Sequence, residues 1–304
     1  MRNIAASLSR HTQADLLLVL VTLLAGAGWI FSKNAMVAFS PVLFLSIRFF
    51  IASLFLGGMG TGALRRLTKE ELKKSILVGM IFAMAMTFWI LGLYYGNHVG
   101  VGAFLTSLGA VLVPIVTLFF GEKASKSLWY SMPVVVAGLA CLSLDASFHF
   151  GWGEVSYLVA ALLFALFFVL NSRFAAAIPA LPLTTIQMVI TTVMAFAVSL
   201  AIEEWQWSFD LSIWGWILAS GIIATSGRFL FQTKAQGMAP ASHAAIIMTL
   251  EPIWAAIFAS IWLNETMSGL QFMGCALIFS AMLINRWKLI VLLFRRKKTA
   301  PAKN

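Results

Sequence analysis

Charge is scarce in this sequence. Asp, Glu, Lys and Arg make up only 11% of the 304 residues, against roughly 25% in an ordinary soluble domain. A water-solvated surface over most of the chain is therefore excluded. Only two cysteines occur, Cys141 and Cys275, both inside apolar runs, so neither a disulfide framework nor a cysteine metal site is expected. Four histidines and no clustered acids leave too little for the constellation an embedded enzyme needs. No nucleotide-binding loop is found, which disfavours ATP-driven transport by this chain alone. No ring of like charge or carbonyl filter motif points to a channel. No cofactor and no metal are implied.

Apolar sequence fills the place of charge. Hydrophobic residues make up 61% of the chain and the mean hydropathy is +0.93. They gather into ten segments: 16–36, 41–59, 75–95, 99–120, 128–144, 153–173, 183–202, 212–232, 241–263 and 269–293. A helix needs about 20 residues to cross hydrocarbon. The segments lack the period-two alternation of a membrane barrel. The expected fold is an all-α integral membrane protein with ten transmembrane helices. The first segment, with Arg2 and Arg10 ahead of it and Ala25-Gly26-Ala27 within it, has parts of a signal peptide. Its apolar run continues through Trp29 to Met36, so it is read as a retained helix.

The net charge of +10 is distributed by position. With the N-terminus in the cytoplasm, all but three of the 21 Lys and Arg lie on the cytoplasmic side. The three are Lys33, Arg48 and Arg228, inside apolar segments. The outer connections carry Asp145, Glu203, Glu204 and Asp210 instead. This asymmetry predicts both termini inside, in a bacterial inner (plasma) membrane. The basic residues form no separate domain, so no nucleic-acid partner is expected. In "LTKEELKK", Thr68 and Glu71 have capping-box spacing and predict a short surface helix. The basic tail "RRKK" is read as snorkelling or meeting anionic lipid.

The chain repeats itself. "TSLGAVLVPIVTLFFGEKAS" (106–125) aligns with "TLEPIWAAIFASIWLNETMS" (249–268) at an offset of 143, pairing Thr106 with Thr249, Glu122 with Glu265 and Ser125 with Ser268. "AGAGWIFSKNAM" (25–36) loosely matches "FALFFVLNSRFA" (164–175). The halves are 1–147 and 148–304, with five segments each. Five is odd, so the second half would insert upside down relative to the first. Inverted repeats of this kind characterise secondary transporters, whose substrate site lies at the repeat interface near the midplane. One departure stands out: Gly109 occupies the position of Pro252, and Pro114 follows five residues later.

Several stretches carry a resemblance: "GWIFSKNAM", "SPVLFLSIRFFIASL" with Pro41 and Arg48, "AFLTSLGAVLVPIVTLFFGE", and "APASHAAIIMTLEPIWAAIFASIWLNE". Over residues 16–290 the chain resembles the drug/metabolite transporter superfamily, specifically the EamA-type proteins with two five-helix repeats. That resemblance implies a central cavity, alternating access and export of small metabolites, often amino acids. It leaves the substrate open. It leaves open whether transport is proton-coupled or facilitative, and whether the protein is a monomer or homodimer. The rival reading within transport is import or exchange of sugar-like or phosphorylated solutes. Phosphate binding would want several inward cations, and only Arg48 lies at a suitable depth.

The candidate site residues follow from what lipid penalises. A charge at the centre of a membrane helix costs about 2.5–3.5 kcal/mol on insertion scales. Glu251 must therefore face a cavity, pair with a cation or be protonated. It is expected either to bind a substrate amine or a proton, or to be a structural hub between helices. Pro252 frees the carbonyl of Met248 and Pro114 that of Ala110, so both are candidates for helix bending. His243, nearer the cytoplasmic mouth, is a candidate gate or proton relay. Arg48 is expected in a salt bridge, in carboxylate binding or against backbone carbonyls. Lys33 and Arg228 are read as snorkelling near span ends. Trp29, Trp89, Tyr94, Tyr95 and Trp254 are candidates to line a cavity. Ser107 and Thr249 are candidate midplane hydrogen-bond donors. Gly26, Gly28, Gly100 and Gly102 are expected to allow close helix approach.

Overall fold

The structure is a computed structural model that describes residues 2–35, 39–95, 99–121, 126–143, 151–205, 210–263 and 268–285. Among the described residues there is no strand. The helices are α1 (Arg2–Ala35), α2 (Pro41–Leu64), α3 (Lys69–Tyr95), α4 (Val99–Phe119), α5 (Lys126–Ser143), α6 (Trp152–Ala175), α7 (Ala180–Ile202), α8 (Leu211–Ala219), α9 (Arg228–Gln236), α10 (Ala241–Met248), α11 (Glu251–Leu263) and α12 (Gly269–Asn285). A π-helical segment, Ser220–Gly227, joins α8 to α9 in one rod. Among the described residues, five helices are long and apolar enough to cross a membrane: Pro41–Leu64, Lys69–Gly92, Trp152–Ala175, Ala180–Ile202 and the rod Leu211–Gln236. The shorter apolar stretches are Thr12–Gly28, Leu105–Phe119 and Phe272–Ala281.

Local chemistry sets the helix starts. Pro41 opens α2, where its fixed φ suits the first turn and its missing N–H costs nothing. Pro179 precedes α7 and Pro240 precedes α10 as N-cap residues with extended ψ. At α3 the capping box forms: Glu71 accepts from the Thr68 backbone N–H at 2.8 Å, and Thr68 Oγ1 accepts from the Glu71 N–H at 3.2 Å. The expected separate surface helix is not there. No helix breaker follows Glu71, so the capped turn runs straight into the third apolar segment.

Helix pairing displays the repeat. α2 packs along α7, and α5 along α12. α3 lies against α6 and α7, just as the rod 211–236 lies against α1 and α2. α4 lies against α6, just as α10 and α11 lie against α1. Exchanging each of these elements for the one five segments further on reproduces these pairings, although α6 also touches α9 and α10, contacts that α1 does not share with α3 and α4 to the same extent.

Lipid offers no hydrophobic drive between helices, so close packing must hold them together. A cluster of Phe49, Phe82, Phe167 and Phe229 joins α2, α3, α6 and α9. Phe82 sits 4.6 Å from the Phe167 ring and 4.9 Å from that of Phe229, edge-on to the latter. Such pairs contribute about 0.5–1.5 kcal/mol each beyond their burial. Small residues bring backbones together elsewhere. A Cβ on Gly28 would sit 2.9 Å from the Ala224 Cβ, and one on Gly109 would sit 2.8 Å from the Ala161 carbonyl oxygen. Large apolar side chains such as Leu54, Met59 and Val193 point outward.

A buried charge cluster as the candidate functional site

The ninth apolar segment is broken where its acid sits. α10 ends at Met248 and α11 restarts at Glu251. Between them the hydrogen bonds tighten: the Thr249 N–H donates to the Ile246 carbonyl at 3.2 Å and the Leu250 N–H to that of Ile247 at 3.1 Å. Thr249 Oγ1 also donates to the Ile246 carbonyl, at 2.6 Å. Pro252 lacks the N–H that a continuous helix would use here. Glu251 therefore occupies the N-terminal turn of a new helix, where the macrodipole favours an anion. α4 differs, since it runs unbroken through Pro114. The departure between the repeats, Gly109 opposite Pro252, thus accompanies a break on one side only.

Glu251 is paired. Arg228 Nη2 donates to Glu251 Oε2 at 2.9 Å, and both side chains are about four-fifths buried, at 17% and 20% exposure. The expectation that Arg228 snorkels is corrected. Arg228 is the first residue after the π segment, and its guanidinium lies 4.9 Å from the Phe229 ring centroid, turned toward protein. A partly buried carboxylate has more to gain from a cation than a cation has from reaching the membrane surface.

The π segment places the second arginine's partner. Thr225 Oγ1 donates to the Ser220 carbonyl and Ser226 Oγ to that of Gly221, each five residues back and at 2.8 Å. Thr225 Oγ1 in turn accepts from Arg48 Nε. Gly221 makes this approach feasible, because a Cβ there would sit 3.2 Å from the Arg48 carbonyl oxygen. Arg48 is 8% exposed, and the charges of both Arg228 and Glu251 act on it. α2, the π segment, α9 and α11 thus contribute to one charge cluster that draws on both halves of the chain. π turns inside α-helices are frequent at functional sites.

The remaining candidates lie at varying distances from this cluster. Thr249 and Pro252 flank Glu251. Trp254 lies one turn along α11, stacked with Phe258 at 6.5 Å between centroids, and its Nε1 is buried without a hydrogen-bond partner. Ser107 is partly buried on α4. Tyr94 is 54% exposed near the end of α3, edge-on to Tyr95 at 5.0 Å. Neither Ser107 nor Tyr94 is brought to the cluster by a described contact. The side chains of Trp29 and Lys33 lie outside the described ones, as do residues His98, Glu122, Ser125, Asp145 and Glu265 and the basic tail.

His243 Nε2 lies 2.9 Å from Asp15 Oδ1, which ties the start of α10 to α1. Asp15 had no assigned role, because it precedes the first apolar segment by one residue. Two further polar groups escaped the sequence. Glu203, at the C-terminus of α7, accepts the Val42 and Leu43 backbone N–H groups at 2.7 and 2.9 Å. A buried amide cluster joins α6, α7 and α9: Gln187 Nε2 donates to Asn171 Oδ1 at 2.7 Å, and Asn171 Nδ2 donates to Thr233 Oγ1 at 3.3 Å and to Gln236 Oε1. Uncharged side chains spaced along an apolar run gave no signal of this convergence.

Comparison with known proteins agrees with this architecture. The EamA-like transporter family matches residues 12–144 and again residues 151–287. An uncharacterized transporter of Archaeoglobus fulgidus is 27% identical over 286 residues, covering 90% of this chain and 86% of that protein. The uncharacterized transporter YoaV of Bacillus subtilis is 24% identical over 287 residues, covering 88% of this chain and 94% of its own length. A solved crystal structure has the same fold with a TM-score of 0.77 at 17% identity, spanning 90% of this chain and 98% of its own. Two matched stretches, one on each repeat, cover most of the sequence, and the chain belongs to the EamA-like transporter family of the drug/metabolite transporter superfamily.

Proposed function

We propose that this chain is a secondary transporter that exports small amphipathic metabolites, amino acids or related compounds. Its ten spans form two inverted five-helix repeats in a bacterial inner membrane, both termini are cytoplasmic, and access alternates between the two faces. The observation that carries this reading is the Arg48–Arg228–Glu251 cluster. Membrane interiors tolerate such charges only toward protein or water, where they mark substrate and ion pathways. Two groups of opposite sign suit a zwitterion: the guanidinium side takes a carboxylate and Glu251 faces an amine. Thr249, Ser107 and the aromatics Trp29, Tyr94 and Trp254 complete the contact surface. The break before Glu251 and the His243–Asp15 contact are where the second repeat would flex.

One observation favours a second reading. Arg228 joins Arg48 in the interior, which gives two largely buried cations among the described residues. Import or exchange of a phosphorylated solute draws support from that pair. Counterflow in proteoliposomes separates the readings. Vesicles preloaded with an amino-acid panel, a set of cationic drugs or sugar phosphates are tested for accelerated uptake of the labelled counterpart. Stimulation by amino acids alone is the expected result. Stimulation by sugar phosphates alone would transfer the assignment to the second reading.

A further inference from the structure

We propose that the face of α9 formed by Arg228, Gln232 and Gln236 is an internal hydration site, where two bound water molecules link the Arg228–Glu251 pair to the amide cluster of Asn171. The site needs no solute, so it goes beyond the transport reading and does not rest on it.

Residues 228, 232 and 236 are four apart, so they share one face of α9, with about 5–6 Å between successive Cβ atoms. Each carries a buried polar atom with no hydrogen-bond partner among the described residues: Arg228 Nε, Gln232 Oε1 and Gln236 Nε2. In that order they donate, accept and donate. Gln187 Oε1 is a fourth such atom, an acceptor on α7, and α7 packs against α9. The three glutamines are at most 4% exposed.

Asn171 fixes the two distal glutamines. Gln187 Nε2 donates to Asn171 Oδ1 at 2.7 Å, and Gln236 Oε1 accepts from Asn171 Nδ2. Each glutamine amide thus spends one end on Asn171 and keeps the other. One free end donates and the other accepts. Turning all three amides over exchanges these roles and leaves the count unchanged.

Two donors and two acceptors match the chemistry of water. One water molecule accepts from Arg228 Nε and donates to Gln232 Oε1, and the one-turn spacing suits a bridge of two bonds of about 2.9 Å each. A second accepts from Gln236 Nε2 and donates to Gln187 Oε1. Thr184 Oγ1, three residues before Gln187 on α7, is also buried without a partner among the described residues and offers this water a third contact, a usual number for a buried water. An ion fits less well, because a cation would meet the N–H groups and an anion the amide oxygens. Polar groups left unbonded in an apolar interior are costly, and a bridging water recovers nearly the enthalpy of a direct bond. Arg228 is then held on two sides, by Glu251 at Nη2 and by water at Nε. The second water joins α9 to α7.

The test is water-edited solid-state NMR of full-length, nitrogen-15-labelled protein in lipid bilayers. Magnetisation from water is expected to reach Arg228 Nε–H and the Gln236 side-chain amide faster than the backbone N–H of Phe82, which is fully buried in an apolar cluster. Gln232→Met keeps the length of the side chain and removes the shared acceptor. It is expected to slow transfer to Arg228 Nε and to lower the melting midpoint by a few degrees. Transfer to either wild-type side chain at the Phe82 rate overturns the proposal. So does a Gln232→Met variant with unchanged transfer to Arg228 Nε, or with a raised melting midpoint, since removing an unbonded buried acceptor is a gain. The wild-type comparison needs no variant to fold and decides alone if Gln232→Met does not.

Discussion

Arg228 donates to Glu251 across 2.9 Å, joining the residue that follows the π segment to the residue that restarts the broken ninth span. Each side chain explains the other's burial, so the two should behave as one unit. Glu251→Gln is expected to lower counterflow at least about 10-fold, because a cluster left with two cations releases an anion slowly. The protein should still fold. Arg228→Gln is expected to lower both binding and stability. In the double variant, the second change should add little to the first, with a coupling of about 0.5–3 kcal/mol in a thermal double-mutant cycle. Additive effects would show that the pair does not persist in the folded protein.

Glu203 holds the first turn of α2 from the far end of α7. Its two carboxylate oxygens take the Val42 and Leu43 N–H groups, and Ser199 Oγ donates to the same carboxylate at 2.8 Å. Ser40, the N-cap residue, makes no side-chain cap itself; its hydroxyl donates to the Glu204 carbonyl at 2.9 Å. Glu203→Ala should therefore cost about 1–2 kcal/mol, the range of a lost N-cap. Glu203→Gln keeps one acceptor oxygen and should cost less. Thermal unfolding of the purified variants gives the order, and equal losses would argue against capping by the charged group.

What the sequence disclosed and what it concealed divide along a physical line. Spacing and hydropathy are local, so the apolar segments, the repeat and the capping box at Thr68 and Glu71 could be read directly. Pro252 beside Glu251 marked the break in the ninth span, because a proline removes a bond at a known position. Partnerships across helices are not local. Arg228 looked like a snorkelling residue from its distance to the span end, and only packing of α9 against α11 through α1 shows where it points. The π segment has no proline to announce it, and its contacts through Thr225 and Gly221 are with α2, far off in the sequence. Glu203 looked like one more outer acid, and the charge asymmetry alone could not reveal that it caps another helix.

The capping box at the cytoplasmic end of α3 gives a pH prediction. The Thr68 backbone N–H, and after it the Thr68 hydroxyl, hold the Glu71 carboxyl below its ordinary value of 4.5. A depressed acid stabilises the fold when ionised. Its contribution is complete above 4.5 and disappears as pH falls through the lower folded-state value. The wild type is thus expected to melt above Glu71→Gln at neutral pH, and the gap should close on acidification to about pH 3. A gap that persists there would assign the effect to packing. Thr68→Ala removes the hydroxyl and keeps the backbone N–H, so it should shift the Glu71 titration part of the way back.

Gly109 tests whether the two repeats divide rigidity and motion between them. A Cβ at this position would meet the Ala161 carbonyl oxygen at 2.8 Å, a backbone atom that no rotamer change can move aside. α4 and α6 must separate to admit it, so Gly109→Ala is expected to cost about 1–3 kcal/mol. Gly62, in α2, has nothing within 4 Å of such a Cβ. Gly62→Ala is therefore a control, expected to be neutral or stabilising by up to about 1 kcal/mol. The counterpart contact, α11 on α1, has Pro252 at the matching position and a helix break beside it. If the first repeat is the rigid one, Gly109→Ala should lower the melting midpoint and leave ligand affinity within about 2-fold, since Gly109 meets α6 while the charge cluster is drawn from α2, the π segment, α9 and α11. A large affinity loss at unchanged stability would mean that α4 moves with the site, and that the break in the ninth span is not where the repeats differ in mobility.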